Sequence, residues 1–171
     1  MKRALLLVAA SIIATISPVQ AATTPSCSSI KVAKTAYPKG IVLPCLNGSG
    51  STTFEAIRGP VLVNVWGSWC EPCKQEIPHL VDVAEEKKIA IIGIDVEERN
   101  MAAGQKFVAA HKMSWPQLYD VKALTRGIFG MGVPVTWFID ANGKVVYKQI
   151  GLFTSDDQIK NLVKKYLKIT L

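Results

Sequence analysis

Histidine and cysteine are scarce in this chain, and their scarcity narrows its chemistry. The two histidines, His79 and His111, fall in no ligand pattern, and Cys27 and Cys45 are widely spaced. A structural zinc site normally needs a second C-x-x-C or a Cys/His pair at short spacing, so this distribution weighs against zinc. No basic cluster carries interleaved aromatics, so nothing indicates a nucleic-acid surface. Repeats and low-complexity tracts are missing. No long apolar run occurs beyond the N-terminal segment, so the remaining body reads as soluble. No cysteine follows that segment in a lipoprotein context.

The N-terminal segment itself reads as an export signal. Lys2 and Arg3 form a charged start, Ala4 to Ile16 is apolar, and Val19-Gln20-Ala21 supplies a small-residue cleavage site. Cleavage after Ala21 places the protein outside the cytoplasm, in the periplasm or cell envelope or secreted, where disulfides persist. An uncleaved membrane anchor is the alternative. The expected partition is therefore a signal peptide at 1–21, an N-terminal extension at 22–39 and one domain at 40–171. Removing Lys2 and Arg3 lowers the formal charge from +7 to +5, a mild attraction to anionic partners.

The most informative stretch is Trp66-Gly67-Ser68-Trp69-Cys70-Glu71-Pro72-Cys73, directly after the apolar run Val61 to Val65. Residues three apart lie on one helix face, so the two sulfurs can meet in a small ring. At a helix N-terminus the free N–H groups and the dipole favour an anion, which promotes the thiolate of Cys70. That thiolate is the nucleophile of disulfide exchange. Pro72 suits a first helical turn, where its missing N–H costs nothing. The competing readings of the pair are a structural disulfide or half of a metal site.

Along the chain, Ile41 to Pro44 reads as a short edge strand, and Phe54 to Arg58 as a short element. Val61 to Trp66 and Ile89 to Val96 read as strands buried on both faces. The helix after Cys70 puts Ile77, Leu80, Val81 and Ala84 on one side, with Pro78 expected to kink it. Met101 to His111 has helical spacing, and Lys122 to Phe129 predicts another short helix ended by Gly130-Met131-Gly132. Val135 to Ile139 and Lys144 to Ile150 form a hairpin across Asp140-Ala141-Asn142-Gly143. The last helix carries Ile159, Leu162, Val163, Tyr166 and Leu167 on one stripe, with Thr154 as expected N-cap. Asp156 and Asp157 at its start and Lys164, Lys165 and Lys168 at its end match the helix dipole. The order β-α-β-α-β-β-α predicts an α/β fold with a mixed sheet.

The run from Val61 to Pro78, with Gly132-Val133-Pro134-Val135-Thr136 and Ile139 to Val146, resembles the TlpA/ResA-type branch of the thioredoxin superfamily. These are exported thiol-disulfide oxidoreductases, and the likeness spans roughly residues 40–168. The resemblance implies a thioredoxin-like fold, a central mixed sheet flanked by helices, here with an N-terminal extension and an inserted helix. It implies Cys70 as the attacking thiolate at an exposed tip and Cys73 as the more buried resolving thiol. It implies a cis Pro134 facing the cysteines, with Val133 and Trp69 beside the client chain. Where thioredoxin has a buried acid this chain has Asn64, which cannot accept a proton. Glu76 then becomes the candidate for tuning the thiols, its pKa raised by desolvation. Glu71, between the cysteines, matches the same branch and would moderate the helix effect. Val135 departs from the threonine common after this proline.

Cys27 and Cys45 lie outside the motif. The plain reading is a structural disulfide that pins the N-terminal extension, worth about 3 kcal/mol in the chain-entropy model. A second redox relay and intermolecular pairing stay open. The function expected is reduction of disulfides in exported client proteins, such as those of cytochrome c maturation or copper-site assembly. An electron-donating membrane redox protein would serve as partner to a monomer, with no cofactor and no metal. Oxidation or isomerisation by the same chemistry, or Cu(I) delivery, are the alternatives.

Overall fold

Val61 to Trp66, apolar but for Asn64, forms strand β3 at the centre of a five-stranded sheet, with every residue buried. The computed structural model describes residues 24–130 and 132–171. The expected export signal, residues 1–21, lies outside the described residues. Among those described, no helix is long and apolar enough to cross a membrane.

In chain order the elements are β1 (Val42–Pro44), β2 (Ser51–Thr53), β3 (Val61–Trp66), α1 (Glu71–Glu85), β4 (Ala90–Val96) and α2 (Met101–Ala110). They continue with β5 (Gln117–Asp120), α3 (Arg126–Phe129), β6 (Val135–Ile139), β7 (Val145–Ile150) and α4 (Asp156–Leu167). The main sheet runs β5-β4-β3-β6-β7. β3 is parallel to β4 and β4 to β5, whereas β6 runs antiparallel to both β3 and β7. This is the mixed α/β sheet that the sequence predicts.

Period-two alternation divides β3 between two cores. Leu62 and Trp66 join Ile77, Leu80 and Val83 of α1, Phe107 and Val108 of α2, and Ile159 and Val163 of α4. Val61, Val63 and Val65 face the opposite layer, made by Ile30, Leu43, Phe54, Ile57 and Phe129. The sheet is thereby covered on both sides, as parallel strands require.

Several expectations are corrected. β5 escaped the sequence reading because it has four residues, two of them polar. It forms because β4 offers an open edge on one side. On its other side Cys45 bridges Leu118, and the Leu46 N–H donates to the Gln117 carbonyl at 2.8 Å. The helix expected over Lys122 to Phe129 shrinks to α3. The Asp120 carboxylate accepts the N–H groups of Leu124 and Thr125 at 2.9 and 2.8 Å, holding residues 121–125 as a turn. The N-cap of α4 is Ser155 rather than Thr154. Ser155 is extended, and its hydroxyl accepts the Gln158 N–H at 3.2 Å, while the Gln158 side chain accepts the Thr154 N–H at 2.9 Å. Pro78 sits inside α1 without ending it. The β6–β7 turn forms as its sequence suggests, with Asp140 accepting from Asn142 and Lys144 and Gly143 at φ +85°.

Candidate active site

At the end of β3 the chain makes a tight turn, and the Cys70 N–H donates to the Gly67 carbonyl at 3.0 Å. Cys70 is the N-cap of α1, and its sulfur accepts the Cys73 N–H at 3.1 Å. One of the orphan donors of the helix start is thus directed at sulfur. Cys70 and Cys73 are joined as a disulfide with Cα atoms 5.3 Å apart. Neither is an exposed tip: Cys70 is 4% exposed and Cys73 is 0% exposed. Pro72 lies in the first turn of α1. Glu71 turns outward and pairs with Lys74 at 3.0 Å, its side chain 70% exposed.

Trp69 is the exposed feature of this loop, at 54%. Its indole N–H donates to the Val96 carbonyl at 3.3 Å and lies flat against Gly67. A Cβ on Gly67 would sit 2.6 Å from that nitrogen, so the bare backbone is what admits the ring. Opposite the disulfide, the Val133–Pro134 bond is cis, and the Val133 carbonyl oxygen lies 3.6 Å from the Cys70 sulfur. A groove of about 130 Å³ opens here, floored by Val65, Val96, Phe129 and Val133, with Trp69 on one wall. Arg126 and Glu97 form an ion pair at its rim.

Below the cysteines, Glu76 is 0% exposed. Its two oxygens accept from the Asn64 amide at 2.7 Å and the Phe153 N–H at 3.0 Å, and Asn64 also donates to Thr136 at 2.9 Å. Burial raises its pKa to about 7, against the pull of those two hydrogen bonds. A carboxyl group one turn beyond Cys73 therefore titrates near neutrality.

Two acids that the sequence reading passed over stand on the other side of the loop. Glu98 accepts the Ser68 N–H at 2.5 Å, and Asp95 is wholly buried in β4. The signal was an acid inside the apolar run Ile89 to Val96. Gln117, also passed over, accepts the Trp66 indole N–H at 2.9 Å. Cys27 and Cys45 are bonded to each other, 8% and 0% exposed, at the β5 edge. The histidines lie elsewhere: His79 pairs with Asp156 at 2.7 Å, and His111 packs on Phe107.

The AhpC/TSA family profile matches residues 38–148. The chain is 34% identical over 112 residues to the thiol-disulfide oxidoreductase ResA of Bacillus thuringiensis, covering 63% of this chain and 61% of that one. It is also 34% identical over 131 residues to the thiol:disulfide interchange protein DsbE of Pseudomonas fluorescens, covering 72% and 70%. The match thus spans about 61% of the length of the ResA relative. Among solved structures, a secreted Mycobacterium tuberculosis disulfide oxidoreductase homologous to E. coli DsbE superposes with a TM-score of 0.63 at 21% identity. That match covers 74% of this chain and 96% of the other, and it speaks for the shared fold.

Proposed function

The chain belongs to the AhpC/TSA family, as a ResA-like member of the thioredoxin superfamily, and on that footing we propose that it reduces disulfides in exported client proteins. The observation that carries this reading is the Cys70–Cys73 disulfide at the start of α1, with Cys70 under the Val133 carbonyl and beside an apolar groove.

The dithiol form begins the cycle. The Cys70 thiolate, favoured by the Cys73 N–H and the helix terminus, attacks one sulfur of a client disulfide and forms a mixed disulfide. The other client sulfur leaves as a thiolate and takes up a proton. Cys73 then loses its proton and attacks Cys70, releasing the second client thiolate and restoring the Cys70–Cys73 bond. The client gains two electrons and two protons, which the pair must recover from a membrane redox donor. Glu76 is suited to hold or release the proton that Cys73 exchanges, since it titrates near neutrality one turn away. An extended client segment fits beside Val133 and Pro134 through backbone hydrogen bonds, with a side chain in the groove against Trp69. The buried Cys27–Cys45 bridge supports an extracytoplasmic site of action, as does the likeness to a secreted relative.

Trapping tests this. Cys73→Ala should accumulate reducible mixed disulfides with several exported proteins through Cys70, and these should vanish when Cys70 is also replaced. Cytochrome c precursors among them would name the pathway. A variant that traps nothing, in a protein that co-purifies with stoichiometric copper, would transfer the site to Cu(I) handling.

A further inference from the structure

Asn64 is the polar interruption of β3, and it is 0% exposed. Its Nδ2 donates to one Glu76 oxygen at 2.7 Å and to the Thr136 hydroxyl at 2.9 Å, so both N–H groups are engaged. Its Oδ1 is buried and has no partner among the described residues. The amide is therefore placed to donate twice, at the expense of an unmet acceptor. Thr136 is buried as well, and it stands directly opposite Asn64 in the β3–β6 pair, where side chains on one face meet.

The same contacts reach the loop that faces the disulfide. Thr136 follows the cis Pro134 by two residues. The other Glu76 oxygen holds the Phe153 N–H at 3.0 Å, and two residues earlier the Gly151 N–H donates to the Pro134 carbonyl at 3.1 Å. Glu76 is thus tied to β6 through Asn64 and to the segment after β7 directly. The groups that meet it from β3 and from that segment are an amide and a backbone N–H, and the Thr136 hydroxyl lies behind the amide. None of these titrates. On α1 the titratable neighbour one turn away is Cys73, and the His79–Asp156 pair between α1 and α4 is closed on itself at 2.7 Å.

We propose that Asn64 and Thr136 are positioning residues for Glu76: the Thr136 hydroxyl takes one N–H of the Asn64 amide and so aims the other at the carboxylate. An amide released from Thr136 can turn its Oδ1 toward Glu76, setting oxygen against oxygen. A donor on the carboxylate favours its charged form, which is the form that accepts the proton leaving Cys73. Without that donor Glu76 keeps its own proton to higher pH and takes the proton of Cys73 less readily. Resting on the reading of Cys70 and Cys73 as a redox pair, this assigns to β3 and β6 the orientation of the acid that α1 carries.

The oxidised protein tests it, because neither sulfur of the pair titrates there. The carboxyl carbon resonance of Glu76, identified by its loss in Glu76→Gln, is followed with pH in protein labelled at glutamate. The wild-type midpoint should lie at about 7. Asn64→Leu, similar in size and without a donor, should raise it by about one pH unit, a tenfold gain in proton affinity, as a hydrogen bond to a charged group is lost. Thr136→Val should raise it by about half a unit, roughly threefold, and Thr136→Ser, which keeps the hydroxyl, should restore it. The pH profile of client disulfide reduction should move to higher pH together with the midpoint. A Thr136→Val protein that loses stability but titrates like wild type overturns the proposal, as does a profile that stays in place while the midpoint moves. Should Asn64→Leu not fold, the Val and Ser variants of Thr136 decide: a raised midpoint restored by serine supports the proposal, and an unchanged one overturns it. A wild type that exchanges no disulfide with any client, while the midpoints shift as stated, overturns the oxidoreductase reading and leaves the hold of Asn64 and Thr136 on Glu76 standing.

Discussion

Asn64 donates to Glu76 at 2.7 Å across the interface between β3 and α1, so an amide occupies the strand position and the acid stands on the helix. The amide cannot take a proton but can hold the acid that does. Placing the carboxyl on α1, three residues after Cys73, ties its charge to the helix that carries both sulfurs.

Glu76 makes stability pH-dependent in a stated direction. Its folded pKa is about 7 against 4.5 for the free group, so the folded state holds its proton more tightly than the unfolded one. Its contribution is fully present below pH 4.5 and is lost as pH rises through 7. Glu76→Gln should flatten this loss, on the order of 3 kcal/mol in wild type, although the amide serves one of the two donors poorly. Urea unfolding at acid and at mildly alkaline pH measures the difference. Equal slopes for wild type and variant would remove Glu76 as the source.

Cys70 should outpace Cys73 in alkylation once the pair is reduced. Its sulfur lies 3.6 Å from the Val133 carbonyl oxygen and the residue keeps 4% exposure, while Cys73 is wholly covered one turn into α1. Mass mapping after brief exposure to iodoacetamide reads the order, and equal labelling would count against the assignment of the nucleophile.

The two disulfides should separate on graded reduction. Cys27–Cys45 is buried between the N-terminal segment and the β5 edge. It should stay closed under mild reduction that opens Cys70–Cys73. Replacing both Cys27 and Cys45 by alanine should cost about 3 kcal/mol of stability and leave disulfide exchange intact. Simultaneous opening of both pairs would remove the structural role.

Gly104→Ala offers a test of the α2 packing, because two effects oppose each other. Alanine favours a helix interior by about 1 kcal/mol over glycine. The new Cβ would meet the buried Asp95 carboxylate at 1.9 Å. Overpacking should win, with a net loss of about 1–3 kcal/mol. A variant more stable than wild type in thermal unfolding would mean that Asp95 has room to move.

Much of this protein was legible along the chain because the relevant physics is local. The spacing of Cys70 and Cys73, the near-continuous apolar runs of β3 and β4, the Asp140–Gly143 turn and the stripe of α4 each depend on residues a few positions apart. The expectation of a partly buried Glu76 joined a helical period to the resemblance to the ResA-type branch, with Asn64 standing where thioredoxin has an acid. Tertiary structure decided the rest. β5 exists because β4 and the Cys45 segment flank it, and neither neighbour is close in sequence. α3 begins late because Asp120 captures two backbone donors that a helix would have used. Cys70 is covered, not exposed, because the Val133 loop returns from some sixty residues away to lie on it. The hold of Glu98 on the Ser68 N–H likewise joins chain segments that only the folded sheet brings together. Local propensity sets which elements can form, and long-range burial and hydrogen bonding set which side chains meet.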